Sequence, residues 1–395
     1  MAILKYIERT YITIKFVSLT LTMLLSFAYS DKLGPYNRSI LTFVFVSTLI
    51  IVGILTSGTT ITLRLFDREL DRDEIASFLS LSLFQLLIGL WLSTCSLLVY
   101  SELKASLDYK YILLGVLFYT LAHISIIFGE YFAYKKEFIK WAKFEVFQVL
   151  IQITVYLFLI NLTTTISMAV IVITSFCIST LLIISIAFLT IPRKTLNLLK
   201  LGTLNKFWKI SKQNILDSIP NIVLRYTDKI IIAIFFANEI LAIYSIFLTL
   251  IFFFRFIPEY ISKIIVANNI HFNKIKNLRV YFIILVYFLS LNTLAIISRT
   301  IIENTLGSEW TLPVVICIFI GIQEFFHNCF LVINNFTLPS NRKKLQLNST
   351  KLALITLLIF AIYPIYSENL GGLVWSLSLA YLAAILYSVK CYSNE

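Results

Sequence analysis

Apolar runs close to 20 residues long recur along the chain, separated by short polar or basic stretches. A hydrocarbon layer about 30 Å thick takes about 20 helical residues to cross, so each run predicts a membrane-spanning helix. Twelve spans are predicted, at roughly 10–30, 39–63, 75–100, 111–129, 145–162, 167–190, 214–235, 240–262, 280–298, 312–335, 352–366 and 371–389. The alternating segments of roughly ten residues that mark an outer-membrane barrel are absent. The predicted class is an all-α membrane protein.

One span departs from the pattern. Residues 214–236, NILDSIPNIVLRYTDKIIIAIFF, carry Asp217, Arg225, Asp228 and Lys229 inside a stretch long enough to cross a bilayer. A charge at the bilayer centre costs about 2.5–3.5 kcal/mol on insertion scales, so such groups face a protein interior or a wet cavity. Asn214, Asp217, Ser218, Asn221, Arg225 and Asp228 recur at helical spacing and predict one polar stripe, with Ile222, Val223, Ile230 and Ile231 on the apolar flank. At about 1.5 Å per residue, Arg225 lies about 16 Å beyond Asn214, near mid-membrane. Glu324, with Gln323, His327 and Asn328, forms a second polar cluster about 18 Å into the tenth span. For each the structural alternative stays open: an Arg225–Asp228 ion pair, and a hydrogen-bonded network round Glu324.

Composition agrees: 59% of the 395 residues are hydrophobic and 14% charged, with a mean hydropathy of +0.88. In a soluble protein a net charge of +12 would suggest nucleic acid. Here the basic residues gather in alternate loops, a topology signal, and no nucleic-acid partner is expected. With the N-terminus in the cytoplasm, 24 lysines and arginines fall on the cytoplasmic side. Outside loops hold 5, namely Lys32, Arg38, Lys104, Lys110 and Arg299. Both termini are therefore expected in the cytoplasm. The first apolar stretch ends in Ala28-Tyr29-Ser30, which could pass for a signal-peptide site, but cleavage would spoil the charge alternation. The five cysteines suggest neither disulfides nor metal spacing. No nucleotide-binding loop and no HExxH motif is present, and neither cofactor nor metal is expected.

Residues 191–212 interleave leucine, phenylalanine and tryptophan with lysines and predict a basic linker lying on anionic lipid headgroups. It divides the chain into an N-terminal six-helix bundle at 1–190, a basic interfacial linker at 191–213, and a C-terminal six-helix bundle at 214–395. An offset of 203 aligns Leu33-Gly34-Pro35 with Phe236-Ala237-Asn238 and suggests parallel repeats. The same offset sets Lys15 level with Ser218, beside Asp217 of the opposite bundle, and predicts that Lys15 and Asp217 approach each other near the cytoplasmic mouth when that mouth is closed.

Several landmarks resemble a known family. LGPYNRSILTFVF from Leu33, SGTTITLR from Ser57, the entry to the second half with its Asp228-Lys229 pair and Tyr244, and LGSEW from Leu306 are similar to polysaccharide flippases. These belong to the multidrug/oligosaccharidyl-lipid/polysaccharide exporter superfamily. The glycine usual before Tyr244 is missing, and the chain is short for the family. The resemblance implies a flippase of the O-antigen kind. Such a protein moves an oligosaccharide on undecaprenyl diphosphate across the bacterial inner membrane, with about twelve helices in two six-helix bundles around a central cavity. It makes membrane lipid a partner, and a polysaccharide polymerase and chain-length regulator candidate partners.

A diphosphate needs cations in a low-dielectric site, where arginine offers forked donors. The candidate substrate-binding set in the implied cavity is Arg225, Asp228, Lys229, Asp217, Asn221, Lys15, Arg255 and Glu324. Snorkelling to the interface explains Lys15 and Arg255 as well as function does, and Arg255 can pair with Glu259 four residues on. The carboxylates balance the cations in number, so the cavity is not plainly cationic. The alternative function is a cation-coupled small-molecule or drug exporter of the same superfamily. A membrane enzyme such as a sugar polymerase carries a large outside loop, and the loops here are short; an enzyme is not expected.

Overall fold

The computed structural model describes residues 2–64, 72–105, 109–134, 137–162, 167–190, 201–252, 258, 278–335 and 343–393. Among them are eleven α-helices and no strand. In chain order they are α1 (Ala2–Arg64), α2 (Arg72–Tyr100), α3 (Tyr109–Tyr134), α4 (Phe138–Leu162), α5 (Met168–Thr190), α6 (Leu201–Phe235), α7 (Asn238–Phe252), α8 (Leu278–Leu306), α9 (Val314–Asn335), α10 (Lys343–Tyr366) and α11 (Leu370–Ser393). Nine stretches among the described residues are long and apolar enough to cross a membrane, and α7 adds a shorter apolar helix.

The 63 residues of α1 would reach about 95 Å if straight, far more than a bilayer. They do not run straight, because Gly34 takes φ 68° and ψ 165°. A side chain at that φ would be strained, and glycine adopts it without a Cβ penalty. Pro35 follows, its missing N–H harmless at the first position of a new helical arm. The two arms, 2–33 and 35–64, are the first two spans read from the sequence. The corresponding break in the second half falls at Phe236 and Ala237, between α6 and α7. Ala237 lies 203 residues beyond Gly34, the offset seen in the sequence.

The chain divides into two compact units, Met1–Ile222 and Val223–Glu395. In the first, α1 packs with α2, α3, α4 and α5. Its core is apolar and aromatic: Leu41, Val44, Val52, Leu97 and Tyr119 are fully buried, and Phe45, Phe118 and Phe176 form a ring cluster. In the second, α9 packs on α8 and α11, and α11 on α10. Buried hydroxyls inside the helices bond to carbonyls three or four residues back, as Thr56 does to Val52 (2.7 Å) and Ser82 to Phe78 (2.8 Å). In lipid no water satisfies such groups, so the helix does. The outer faces are apolar: on α10, Leu358, Ile362 and Tyr363 are about 70% exposed in the protein alone, as suits a lipid-facing surface.

The basic stretch after α5 is in part helical. Residues 201–213 are the start of α6, which continues through Pro220; residues 191–200 lie outside the described ones. Arg38, counted in an outside loop from the sequence, is instead in the second arm of α1 and buried. The loop assignment failed because a span was taken to start after the arginine, whereas the helix restarts at Pro35.

Candidate functional site

Helix α6 is the least apolar of the long helices, and its polar residues do not share one face. Leu224, Asp228, Ile232 and Phe236 recur every four residues and are all buried, at 2, 4, 0 and 1% exposure. Asp228 therefore lies on the packed face of α6 in the second unit, while Arg225 is exposed. This corrects the single stripe read from the sequence. The apolar flank named there, Ile222, Val223, Ile230 and Ile231, is only half-buried.

Around Asp228 the second unit builds a polar network inside an apolar bundle. The Tyr244 hydroxyl on α7 has one proton and two acceptors, Asp228 Oδ2 at 2.8 Å and Gln323 Oε1 at 3.1 Å. Lys229 Nζ stands 3.3 Å from the same Asp228 Oδ2. One turn along α9 from Gln323, His327 Nδ1 lies 3.8 Å from Glu324 Oε1. The His327 ring stacks parallel on Tyr381 of α11, with centroids 4.8 Å apart. Tyr381 in turn donates to the Leu224 carbonyl of α6 at 3.3 Å. Asn328 donates to the Tyr287 hydroxyl of α8 at 2.9 Å. Five helices thus meet at one network, and Tyr244, Gln323, Glu324 and Asn328 are each 2% exposed or less.

The chemistry follows from the inventory. Asp228 and Glu324 both act electrostatically on the Tyr244 phenol. Asp228 Oδ1 is buried with no hydrogen-bond donor among the described residues, and so is Asn328 Oδ1. A buried carboxylate oxygen without a donor is costly. Among the described residues no group of three or more His, Cys, Asp or Glu side chains could hold a metal ion. The Tyr244 hydroxyl, between Asp228 and Gln323, ties α6, α7 and α9 together.

Of the residues singled out in the sequence, the structure brings together Asp228, Lys229 and Glu324, with Gln323, His327 and Asn328. Arg225 is exposed and stands 5.8 Å from the Tyr226 ring, which Lys229 Nζ also approaches at 5.8 Å. Asp217 and Asn221 belong to the first unit and are half-buried; beside them Ser218 bonds Ser57 of α1. Arg255, Glu259 and His271 lie outside the described residues.

Lys15 does not find Asp217 in this structure: its partner is Glu145 of α4. The 203-residue offset matches equivalent positions in the two halves of a repeat, and equivalence alone does not make them neighbours. Both side chains are nearly 30% exposed, so the pair is worth about 1 kcal/mol or less. Lys15→Glu and Glu145→Lys singly are expected to lower thermal stability slightly through like-charge contact. The double swap is expected to recover it, measured by thermal unfolding in detergent. A swap less stable than both singles contradicts the pair.

Tyr244 was noted in the sequence only as part of a turn, and Tyr287 and Tyr381 not at all. A tyrosine in an apolar run reads as an ordinary membrane aromatic, and only the packing shows its hydroxyl turned inward.

Neither a protein-family model nor a curated protein matches the sequence. Solved structures match its fold. A lipid II flippase, MurJ, in an inward closed conformation superposes with a TM-score of 0.73 at 13% identity, over 97% of this chain and 87% of that one. An inward-facing multidrug resistance MATE family transporter of the MOP superfamily gives 0.64 at 12%, over 98% of each chain. A MOP superfamily transporter from Pyrococcus furiosus gives 0.57 at 12%, over 98% of this chain and 96% of that one. The chain shares the fold of these solved structures.

Proposed function

We propose that this chain is a flippase that carries a lipid-linked oligosaccharide across the bacterial inner membrane by alternating access, driven by proton or cation exchange at the Asp228–Glu324 network. The substrate is an undecaprenyl-diphosphate-linked unit for O-antigen or capsular polysaccharide. Both termini face the cytoplasm, and residues 1–190 and 214–395 act as the two bundles, with 191–213 joining them at the lipid surface. The observation that carries the reading is the buried network of Asp228, Tyr244, Gln323, Glu324 and His327, in a chain whose fold superposes on a lipid II flippase over nearly its whole length. A buried titratable network inside a membrane bundle is the usual mark of an ion or proton relay.

In this scheme Tyr244 is the switch. With Asp228 ionised, its proton goes to Asp228 at 2.8 Å. With Asp228 protonated, that acceptor is weakened and the hydroxyl turns to Gln323 at 3.1 Å. The tie between α6 and α7 loosens and the tie between α7 and α9 tightens. Helix α6 also carries Arg225, so a shift at Asp228 moves the residue proposed to meet the diphosphate; Asn221 and Asp217 remain proposed cavity residues. Arg225 is the proposed direct ligand, with Lys15 and Arg255 as further cations.

A second reading is a cation-driven exporter of small molecules, favoured by the same carboxylates and by the likeness to MATE transporters. Reconstitution into liposomes separates the two. A fluorescent polyprenyl-diphosphate oligosaccharide is expected to be flipped, while a lipophilic cationic dye is not transported. Dye transport without flipping replaces the first reading with the second.

A further inference from the structure

Among the described residues two basic side chains are buried, Arg38 and Lys229, each 8% exposed. Lys229 touches Asp228. Arg38 sits in the other unit, in the first turn of the second arm of α1, four residues beyond the Gly34 break. Its Nη2 donates to Ser26 Oγ at 2.8 Å. Its Nε–H is buried with no acceptor among the described residues, and no carboxylate there makes an ion pair with it. The Tyr29 phenol acts on it electrostatically. Asp31, on the first arm, is half exposed and pairs with Lys32 at 3.3 Å.

A guanidinium stays charged in proteins, and a buried unpaired charge is not tolerated without compensation. The backbone adds to the imbalance. Pro35 opens a helical arm of 30 residues, whose N-terminal end carries the positive pole of the helix dipole beside Arg38. Round the guanidinium stand neutral donors. Gln152 Nε2 of α4 donates to Tyr29 Oη at 2.8 Å, and Tyr156 packs edge-on against Tyr29 at 4.7 Å. Cation, helix pole and neutral donors all ask for negative charge; among the described residues the carboxylate that reaches this cluster is Asp31, which acts on Tyr156 and is itself half exposed and paired with Lys32.

We propose that Arg38 anchors a binding site for one small monovalent inorganic anion, of chloride size, at the Gly34 end of the first unit, with Ser26 and Tyr29 beside it. A monovalent anion neutralises one guanidinium. A diphosphate or a lipid headgroup would bring excess charge and more bulk than a position this buried admits. The anion ties the two arms of α1 together at their break, so its binding stabilises the first unit. This site is separate from the Asp228 network and does not depend on the proposed transport activity.

The test uses the full chain purified in detergent. Thermal unfolding is followed in potassium chloride and in potassium gluconate at equal ionic strength. Chloride and bromide are expected to raise Tm saturably, as a ligand of the native state does, and Arg38→Gln is expected to remove that response. Where Arg38→Gln does not fold, equilibrium binding of radioactive chloride to the unaltered chain decides: one saturable site per chain, displaced by bromide, supports the proposal. Equal Tm in chloride and gluconate overturns it, as does the lack of saturable chloride binding. Stabilisation that follows added anionic phospholipid and ignores halide also overturns it.

Discussion

Asp228→Ala is expected to leave little protein in the membrane, while Asp228→Asn combined with Lys229→Met restores the amount but not transport. The two side chains are 5% and 9% exposed and lie 3.3 Å apart. Removing the aspartate leaves an ammonium without its carboxylate in a packed bundle. Breaking a buried pair from one side costs about 3–5 kcal/mol, whereas replacing both charges is often neutral. Total stability is about 5–15 kcal/mol, so the single loss is severe. Membrane-extracted protein, quantified by size-exclusion chromatography, reads the first effect, and flipping in liposomes the second. Normal amounts of Asp228→Ala would mean that Lys229 draws its compensation elsewhere. Normal flipping by the double variant would reduce Asp228 to a structural residue.

A second large effect is expected at Gly89 of α2. A Cβ there would stand 1.6 Å from the Tyr119 hydroxyl and 2.1 Å from the ring carbon that bears it. Tyr119 cannot swing away cheaply: it is fully buried and its hydroxyl meets His123 Nδ1 at 3.3 Å. His123 in turn is held at the Ser82 carbonyl, 3.0 Å away. Overpacking of this kind costs about 1–3 kcal/mol or more. Gly89→Ala is therefore expected to lower Tm by several degrees and to reduce yield. Tyr119→Leu, which removes the ring, is destabilising alone but is expected to rescue Gly89→Ala in part, a coupling that a double-mutant cycle measures. Additive losses would show that α2 and α3 separate instead of α3 repacking.

The spans were legible in the sequence because lipid demands long apolar helices and leaves little room for other patterns. A turn between the first two spans was legible too, as the polar stretch 30–39 that holds Gly34 and Pro35. The Gln323, Glu324, His327 and Asn328 cluster could be seen from its spacing on one helix. What it meets could not: Tyr244 lies 79 residues away in sequence, and no periodicity links the two. The facing of α6 was misread for a related reason. Arg225 and Asp228 lie three residues apart, close enough in angle to share a face. Whether that face is packed or wet depends on α7 and α11, which the local pattern does not contain. Arg38 was misplaced because charge counting assigns any arginine near a span boundary to the loop. Its burial follows from the helix restarting at Pro35.

The most direct measurement of the central claim is gradient-driven flipping. Proteoliposomes carrying the unaltered chain or Glu324→Gln are loaded with a fluorescent polyprenyl-diphosphate oligosaccharide. Its movement between leaflets is followed with and without an imposed proton or sodium gradient. Glutamine keeps the size of the side chain and removes its exchangeable proton and charge. The account predicts that a gradient speeds flipping by the unaltered chain, and that Glu324→Gln folds, inserts and no longer responds to it. A Glu324→Gln protein that flips at the full gradient-driven rate would contradict it.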